Sequence, residues 1–266
     1  MIEARGGLKF LLISEDSGRD WLQVQRRFAQ LLLRSIDSEA DLSRVEYTPL
    51  DHESARFAAR ANRWREQKPD APVDESVRVL LRSIVTQILV SNQFCAFHFD
   101  GDSTWTNREA SSAYSMFDEV VTTRIRREIT ARLRAIAVPE VELSTRVDAV
   151  LSRLLLVVPH YSIEAWLFQN TDALRDACAR RNAGEHALAE CSARCDEWAS
   201  DRALLDEVAA VKSAVCAGDT ANGALAEGFS NRLFDSVVAA DKSLAATRER
   251  WRSSAALVGA LESIRR

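Results

Sequence analysis

Four short apolar runs, at residues 8–14, 45–50, 94–99 and 154–158, stand out along the first two thirds of the chain. They are rich in branched and aromatic residues, and apart from 45–50 apolar and polar positions hardly alternate within them. Runs of this length and composition are typical of strands that are buried on both faces of a parallel sheet. They predict four strands, of which 45–50 carries the weakest signal.

Between these runs, apolar residues recur at spacings of three and four, as they do on one face of an amphipathic helix. Strands that alternate with such helices predict an α/β fold with a Rossmann-like parallel sheet. The three clearest stripes consist of Trp21, Val24, Phe28, Leu31 and Leu32, then Val77, Leu80, Leu81, Ile84 and Ile88, and finally Phe117, Val121, Ile125, Ile129, Leu133 and Ile136.

The chain changes character beyond about residue 171, where it is rich in alanine and keeps a helical pattern without a convincing strand. We therefore predict an α/β domain at 1–170 and an appended helical C-terminal region at 171–266. The segment 218–228 contains three of the nine glycines of the chain, and we predict that it is a flexible connection.

Composition and charge restrict how the protein binds a polyanion. The 266 residues are 47% apolar, which suffices for a large core, and 35 basic residues against 39 acidic ones give a net charge of −4. Nucleic acid would therefore have to bind a local patch. Two arginine rows at helical spacing either track a phosphate backbone or form solvated faces neutralised by nearby acids, which is the commoner case for a single row. The rows are Arg124, Arg127 and Arg134, and Arg56, Arg60 and Arg63.

The expected location is cytoplasmic, with no membrane partner. No apolar run approaches the ~20 residues that span a bilayer, and no signal-peptide pattern is present. The cysteines are five in number and widely spaced, which predicts reduced thiols. They are Cys95, Cys178, Cys191, Cys195 and Cys216.

Acidic residues follow three of the predicted strands. Glu15 comes after the first, Asp100 and Asp102 flank a glycine after the third, and Glu164 lies beyond the fourth. Ligands of parallel sheets bind at the carboxyl ends of the strands, so these side chains are predicted to meet in one cleft. Because Mg²⁺ prefers carboxylate oxygens and water, we predict Glu15, Asp100 and Asp102 as ligands of Mg²⁺ or Mn²⁺.

Simpler explanations exist for each of these motifs. Asp-Gly-Asp is ordinary turn chemistry and Glu-Asp-Ser is an ordinary helix start, so each motif alone favours a structural role. Their joint position at strand ends favours the metal site. His160 follows the last strand and is a candidate to contact phosphate or transfer a proton near neutral pH. For His98, a buried structural histidine is at least as good an explanation.

The segments Ile-Ser-Glu-Asp at 13–16 and Phe-Asp-Gly-Asp at 99–102 resemble the Toprim domain of topoisomerases, primases and several nucleases. The resemblance covers roughly residues 8–168. The segment 159–167, with its Glu-x-Trp-Leu helix start, is similar to Toprim-related families linked to abortive phage resistance, which implies that Glu164 is a further acid of the cleft. Asp16 stands where Toprim proteins often have glycine, and the nearest glycine is Gly18.

The resemblance implies an Mg²⁺-dependent nuclease that acts on DNA or RNA. Glu15, Asp100, Asp102, Glu164 and His160 are then its catalytic residues. It also implies a phage-defence effector, for which we expect a regulatory protein partner at the C-terminal helices. The alternative is a non-catalytic, Toprim-like regulatory or scaffold subunit, which the negative net charge and the missing glycine after Glu15 favour.

Overall fold

The protein is built around one parallel sheet of four strands. The computed structural model describes residues 7–16, 20–101, 112–159, 162–181, 185–206, 208–214 and 222–265. The strands are β1 (Leu8–Ser14), β2 (Val45–Pro49), β3 (Phe94–His98) and β4 (Leu154–Val157). Their order is β2-β1-β3-β4, and all neighbouring pairs are parallel. The predicted α/β class with a Rossmann-like parallel sheet is confirmed at this level.

One face of the sheet packs against the helices that lie between residues 53 and 151. Leu11, Ile13, Cys95 and Phe97 point to this face and join its core. The helices are α2 (Glu53–Arg60), α3 (Glu75–Val85), α4 (Ser112–Phe117), α5 (Thr123–Ala135) and α6 (Glu140–Leu151). A π-helical segment, Thr86–Val90, prolongs α3, and another, Asp118–Thr122, joins α4 to α5.

The opposite face packs against the first helix and the C-terminal helices. Phe10, Leu12, Phe94 and Ala96 join this second core. The helices are α1 (Trp21–Ile36), α7 (Ile163–Leu167), α8 (Thr171–Arg181), α9 (Glu185–Ser200), α10 (Val208–Ala214), α11 (Asn222–Glu227), α12 (Asn231–Ala240), α13 (Lys242–Ser253) and α14 (Ala255–Glu262). Short 3₁₀ helices cover Leu42–Arg44, Arg63–Glu66 and Arg202–Asp206.

The C-terminal helices complete the core of the sheet. The ring of Trp251 on α13 stacks 6.1 Å from that of Phe10 on β1, and its indole N–H donates to the carbonyl of Leu156 at 3.1 Å. Phe28 on α1 packs 5.4 Å from Phe229. The helix α11 occupies part of the segment predicted as a flexible connection. The division of the chain near residue 170 stays a prediction, although both parts share this core.

The cysteines differ from the sequence-based expectation. Cys178 on α8 and Cys191 on α9 form a disulfide, with 6.5 Å between their Cα atoms, so the prediction of reduced thiols is wrong for this pair. The two helices pack side by side, which places the thiols together. Cys95 and Cys195 are free and buried, and Cys216 lies outside the described residues. Within the described ranges, no helix is both long and apolar enough to cross a bilayer.

Candidate active site

The register of the central strands brings Glu15 and Asp100 together. Ser14, the last residue of β1, pairs with His98, the last residue of β3, so the residues that follow leave the sheet side by side. The backbone N–H of Glu15 donates to the carbonyl of His98 at 3.2 Å. In return, the backbone N–H of Asp100 donates to Oε1 of Glu15 at 2.6 Å. The carboxylate of Glu15 thus fixes the chain at the point where it leaves β3.

Asp100 carries the most perturbed carboxyl group of the site. Its Oδ1 is buried and makes no hydrogen bond to any described residue. Burial raises the pKa of Asp100 far above its usual range, and the negative charges of Glu15, Asp16 and Glu164 raise it further. This environment therefore favours the protonated form of Asp100.

His98 is fully buried between the two strand ends. Its Nδ1 lies 2.9 Å from Oγ of Ser14 and 3.4 Å from Oδ2 of Asp16, while its Nε2 lies 3.5 Å from Oδ1 of Asp100. Burial lowers the pKa of His98 to about 4, although Glu15 and Glu164 act in the opposite direction. The imidazole is therefore neutral, and it bonds to the end of β1 through Nδ1, whereas its buried Nε2 has no hydrogen-bond partner among the described residues.

Arg65 approaches the same carboxylates from the 3₁₀ helix after α2. Its Nη2 donates to the carbonyl of Asp100 at 2.7 Å and lies 3.4 Å from Oε2 of Glu15. The neighbouring Trp64 is fully buried and packs edge-on against Phe99, with 5.2 Å between ring centroids, which anchors this segment beside β3. Sequence reasoning missed Arg65, because nothing local distinguishes it from the other arginines of this charged segment.

Glu164 connects the cleft to the C-terminal helices. It is buried at the start of α7, and its Oε1 accepts hydrogen bonds from Nζ of Lys212 at 2.8 Å and from Nδ2 of Asn222 at 3.3 Å. Burial acts to raise the pKa of Glu164, but the hydrogen bond and charge of Lys212 outweigh it and the pKa is lowered. Sequence reasoning also missed Lys212 and Asn222, since they lie 48 and 58 residues away along the chain.

The remaining predicted metal ligand and the predicted histidine cannot be placed, because Asp102 and His160 lie outside the described residues. Among the residues that are described, no group of three or more histidine, cysteine, aspartate or glutamate side chains is arranged to hold a metal ion. The unpartnered Oδ1 of Asp100 suits a cation. Both oxygens of Glu15, in contrast, already contact Asp100 and Arg65. The described donors therefore fit a metal ion only in part.

The arginines predicted to bind nucleic acid contact their own chain. Arg124 donates to the backbone carbonyls of a nearby loop at 2.5 to 3.0 Å, Arg127 lies 3.4 Å from Asp70, and Arg134 bonds to Glu140. These contacts resemble the alternative given above, in which the arginines form a solvated face that is neutralised by its own chain. In the second row, Arg56 and Arg60 line a narrow crevice with Ser14 and Trp21, beside the end of β1.

Comparisons of the chain with protein-family models, curated proteins and solved structures find no match. Its function has therefore to be inferred from the cleft and from the motifs that line it.

Proposed function

We propose that the protein is a metal-dependent nuclease with a Toprim-like catalytic domain, which hydrolyses phosphodiester bonds in DNA or RNA. The observation that carries this proposal is the Asp100 carboxyl, which has one buried, unpartnered oxygen and lies beside Glu15 where the central strands end. Ligands of parallel α/β sheets bind at this edge. A carboxyl whose pKa is strongly raised by burial and by neighbouring acids marks a candidate functional site.

In this proposal Glu15 and Asp100 are ligands of Mg²⁺ or Mn²⁺, and Asp102 is the third. A bound divalent ion would supply Lewis acidity and a water molecule of lowered pKa. Such an ion would offset the repulsion among the acids and so favour the ionised form of Asp100 as a ligand. His98, held between Ser14 and Asp16, orients the strand ends.

The substrate phosphates would meet arginines from the loop side of the cleft. Arg65 is already bonded at the strand ends, and Arg56 and Arg60 line the crevice next to Ser14. Arginine binds phosphate oxygens in a bidentate manner, which suits it to this position. We assign phosphate binding to Arg56 and Arg60 before Arg124, Arg127 and Arg134, whose guanidinium groups bond to their own chain. His160 remains the candidate for proton transfer.

The test is a calorimetric titration with Mn²⁺ and Mg²⁺, combined with cleavage assays on single- and double-stranded DNA and RNA. Asp100→Asn and Glu15→Gln should each weaken metal binding by about tenfold or more and abolish cleavage. Asp148→Asn, which alters an exposed acid paired with Arg126, is the matched control and should change neither. Metal binding and cleavage that survive in Asp100→Asn would refute the assignment.

A second candidate is a non-catalytic regulatory or scaffold subunit with a Toprim-like sheet. The engagement of Glu15 by Arg65 favours it, as does the incomplete set of metal donors in the described part of the chain. For this function, the unaltered protein should bind neither metal ion in the same titration. For the nuclease, we further propose a phage-defence effector that a partner protein restrains at the C-terminal helices, through which Lys212 contacts Glu164.

A further inference from the structure

A second polar cavity lies at the other end of the sheet, where β1 begins. Its volume is about 480 Å³, within the range of about 300–1,000 Å³ typical of small-ligand sites. Gly7 and Lys9 line it from β1 and the residue before it, Arg26 from α1, and Arg44, Glu46 and Tyr47 from β2 and the turn that precedes it. A strand of this length separates it from Glu15 by about 20 Å. The cavity is thus distinct from the carboxylate cleft.

The charges of this cavity are unbalanced. Lys9 and Glu46 are cross-strand partners in register and form an ion pair of 2.8 Å. The guanidinium groups of Arg26 and Arg44 make no hydrogen bond or ion pair with any described residue. Three basic side chains against one acid leave two positive charges at the cavity wall.

Tyr47 supplies an uncharged donor to the same wall. Its hydroxyl is buried and has no hydrogen-bond partner among the described residues. A buried hydroxyl without a partner is costly, so a ligand oxygen that accepts from it would remove that cost. The ring of Tyr47 packs 5.7 Å from that of Phe10, and the guanidinium of Arg26 lies 5.8 Å from its centroid. These contacts hold the ring in place and leave it unavailable for stacking on a ligand.

Gly7 fixes the position of Arg44. A Cβ atom at residue 7 would lie only 2.4 Å from the backbone carbonyl oxygen of Arg44. Only glycine lets the two backbone segments approach this closely, so Arg44 is held beside the start of β1. The backbone of Arg44 is therefore fixed at the wall of the cavity.

We propose that this cavity binds a phosphate monoester. Such a group carries about −1.5 to −2 charges at pH 7 and three strong acceptor oxygens, which match two unpaired arginines and a tyrosine hydroxyl. Because the Tyr47 ring is occupied by Phe10 and Arg26, the cavity recognises the phosphate and does not stack a base. The phosphate can belong to a free nucleotide or to the 5′ end of an oligonucleotide. The proposal does not depend on the nuclease function.

The experiment is a calorimetric titration of the full chain with five probes: inorganic phosphate, AMP, CMP, and a short oligonucleotide with and without a 5′-phosphate. Arg26→Gln and Arg44→Gln should each weaken binding of the phosphorylated probes by about tenfold. Tyr47→Phe keeps the ring and removes only the hydroxyl, so it should weaken binding several-fold without a change in folding. Arg232→Gln, on the exposed surface of α12, is the control and should bind like the unaltered protein.

The outcomes separate the sources of the phosphate and can overturn the proposal. Binding of AMP and CMP with similar affinity identifies a nucleotide site that does not discriminate between bases. Binding of the 5′-phosphorylated oligonucleotide alone identifies a site for the 5′ end of a nucleic acid. The proposal is wrong if no phosphorylated probe binds, or if Arg44→Gln and Tyr47→Phe both bind like the unaltered protein. It is equally wrong if an oligonucleotide without a 5′-phosphate binds as tightly as one with it.

Discussion

The ion pair between Lys212 and Glu164 provides the sharpest test of how the C-terminal helices hold the cleft. Lys212→Met removes the charge but keeps most of the apolar stem, and leaves Glu164 buried with Asn222, at 3.3 Å, among its remaining partners. Breaking a buried ion pair by removing one partner costs about 3–5 kcal/mol. The Lys212 side chain is 33% exposed and that of Glu164 only 11%, so solvent screening reduces the expected loss to about 1.5–3 kcal/mol.

The loss should depend on pH in a defined direction. The folded-state pKa of Glu164 is lowered, so its contribution to stability is present above its unfolded value of 4.5 and disappears as pH falls through the lowered folded value. Lys212→Met removes the largest interaction that lowers the pKa of Glu164, so burial is less opposed and the pKa rises relative to the unaltered protein. The stability difference between the two proteins should therefore be largest near pH 7.5 and should shrink below pH 4.5.

Urea unfolding at pH 7.5 and in a series of buffers down to pH 3.5 measures this difference. Lys242→Met, which alters the exposed first residue of α13, is the control and should lose less than about 0.5 kcal/mol. The double variant Glu164→Gln/Lys212→Met should recover part of the loss, because a neutral side chain is cheaper to bury. An unchanged urea midpoint in Lys212→Met, or a loss that is the same at every pH, would refute the reasoning.

Four further predictions concern other contacts. Trp251→Ala should lower the free energy of urea unfolding by about 3–5 kcal/mol, because the indole fills the core between β1 and α13. If only a separately unfolding C-terminal part lost stability, the shared core would be contradicted. Asp74→Ala should cost about 1 kcal/mol at pH 7 by removing the N-cap of α3. The pKa of Asp74 is lowered to about 2, so this cost should fade as pH drops toward 2, and thermal unfolding at several pH values checks it. Cys178→Ser should lower stability by about 3 kcal/mol, as expected for a loop of 13 residues, and dithiothreitol should destabilise only the unaltered protein. Arg65→Gln should bind Mn²⁺ on the order of tenfold more tightly in calorimetry, because the substitution frees Oε2 of Glu15 and removes a competing cation. Unchanged or weaker Mn²⁺ binding would contradict this prediction.

The strands could be predicted because burial on both faces leaves a local signature. The segment 94–98 is buried at all five positions, and an uninterrupted apolar run is what such a strand requires. The contact between Glu15 and Asp100 also followed from sequence, since parallel strands place their carboxyl ends at the same edge. The weak signal at 45–50 has a physical reason too, because β2 is an edge strand with an exposed Glu46.

Contacts between distant segments left no such signature. Helix α6 was missed, since its amphipathic pattern is weak and only Leu143 and Val147 are buried. Arg65 and Lys212 reach the cleft only because the 3₁₀ helix after α2 and the helix α10 pack at particular places around the sheet, which no local pattern encodes. The disulfide was missed because counting cysteines does not reveal that two helices align Cys178 with Cys191.

The charges of the cleft explain why its geometry suits a divalent ion. Glu15, Asp16 and Glu164 all act on Asp100, so four carboxyl groups influence one small volume. Arg65 and Lys212 are the cations that the described contacts bring to them, and the buried His98 is neutral. If all four acids were ionised, two negative charges would remain. Without a metal, protonation of Asp100 removes one of them, whereas a divalent ion offsets both and lets Asp100 ionise. The repulsion that raises the pKa of Asp100 is therefore the same interaction that would attract the ion.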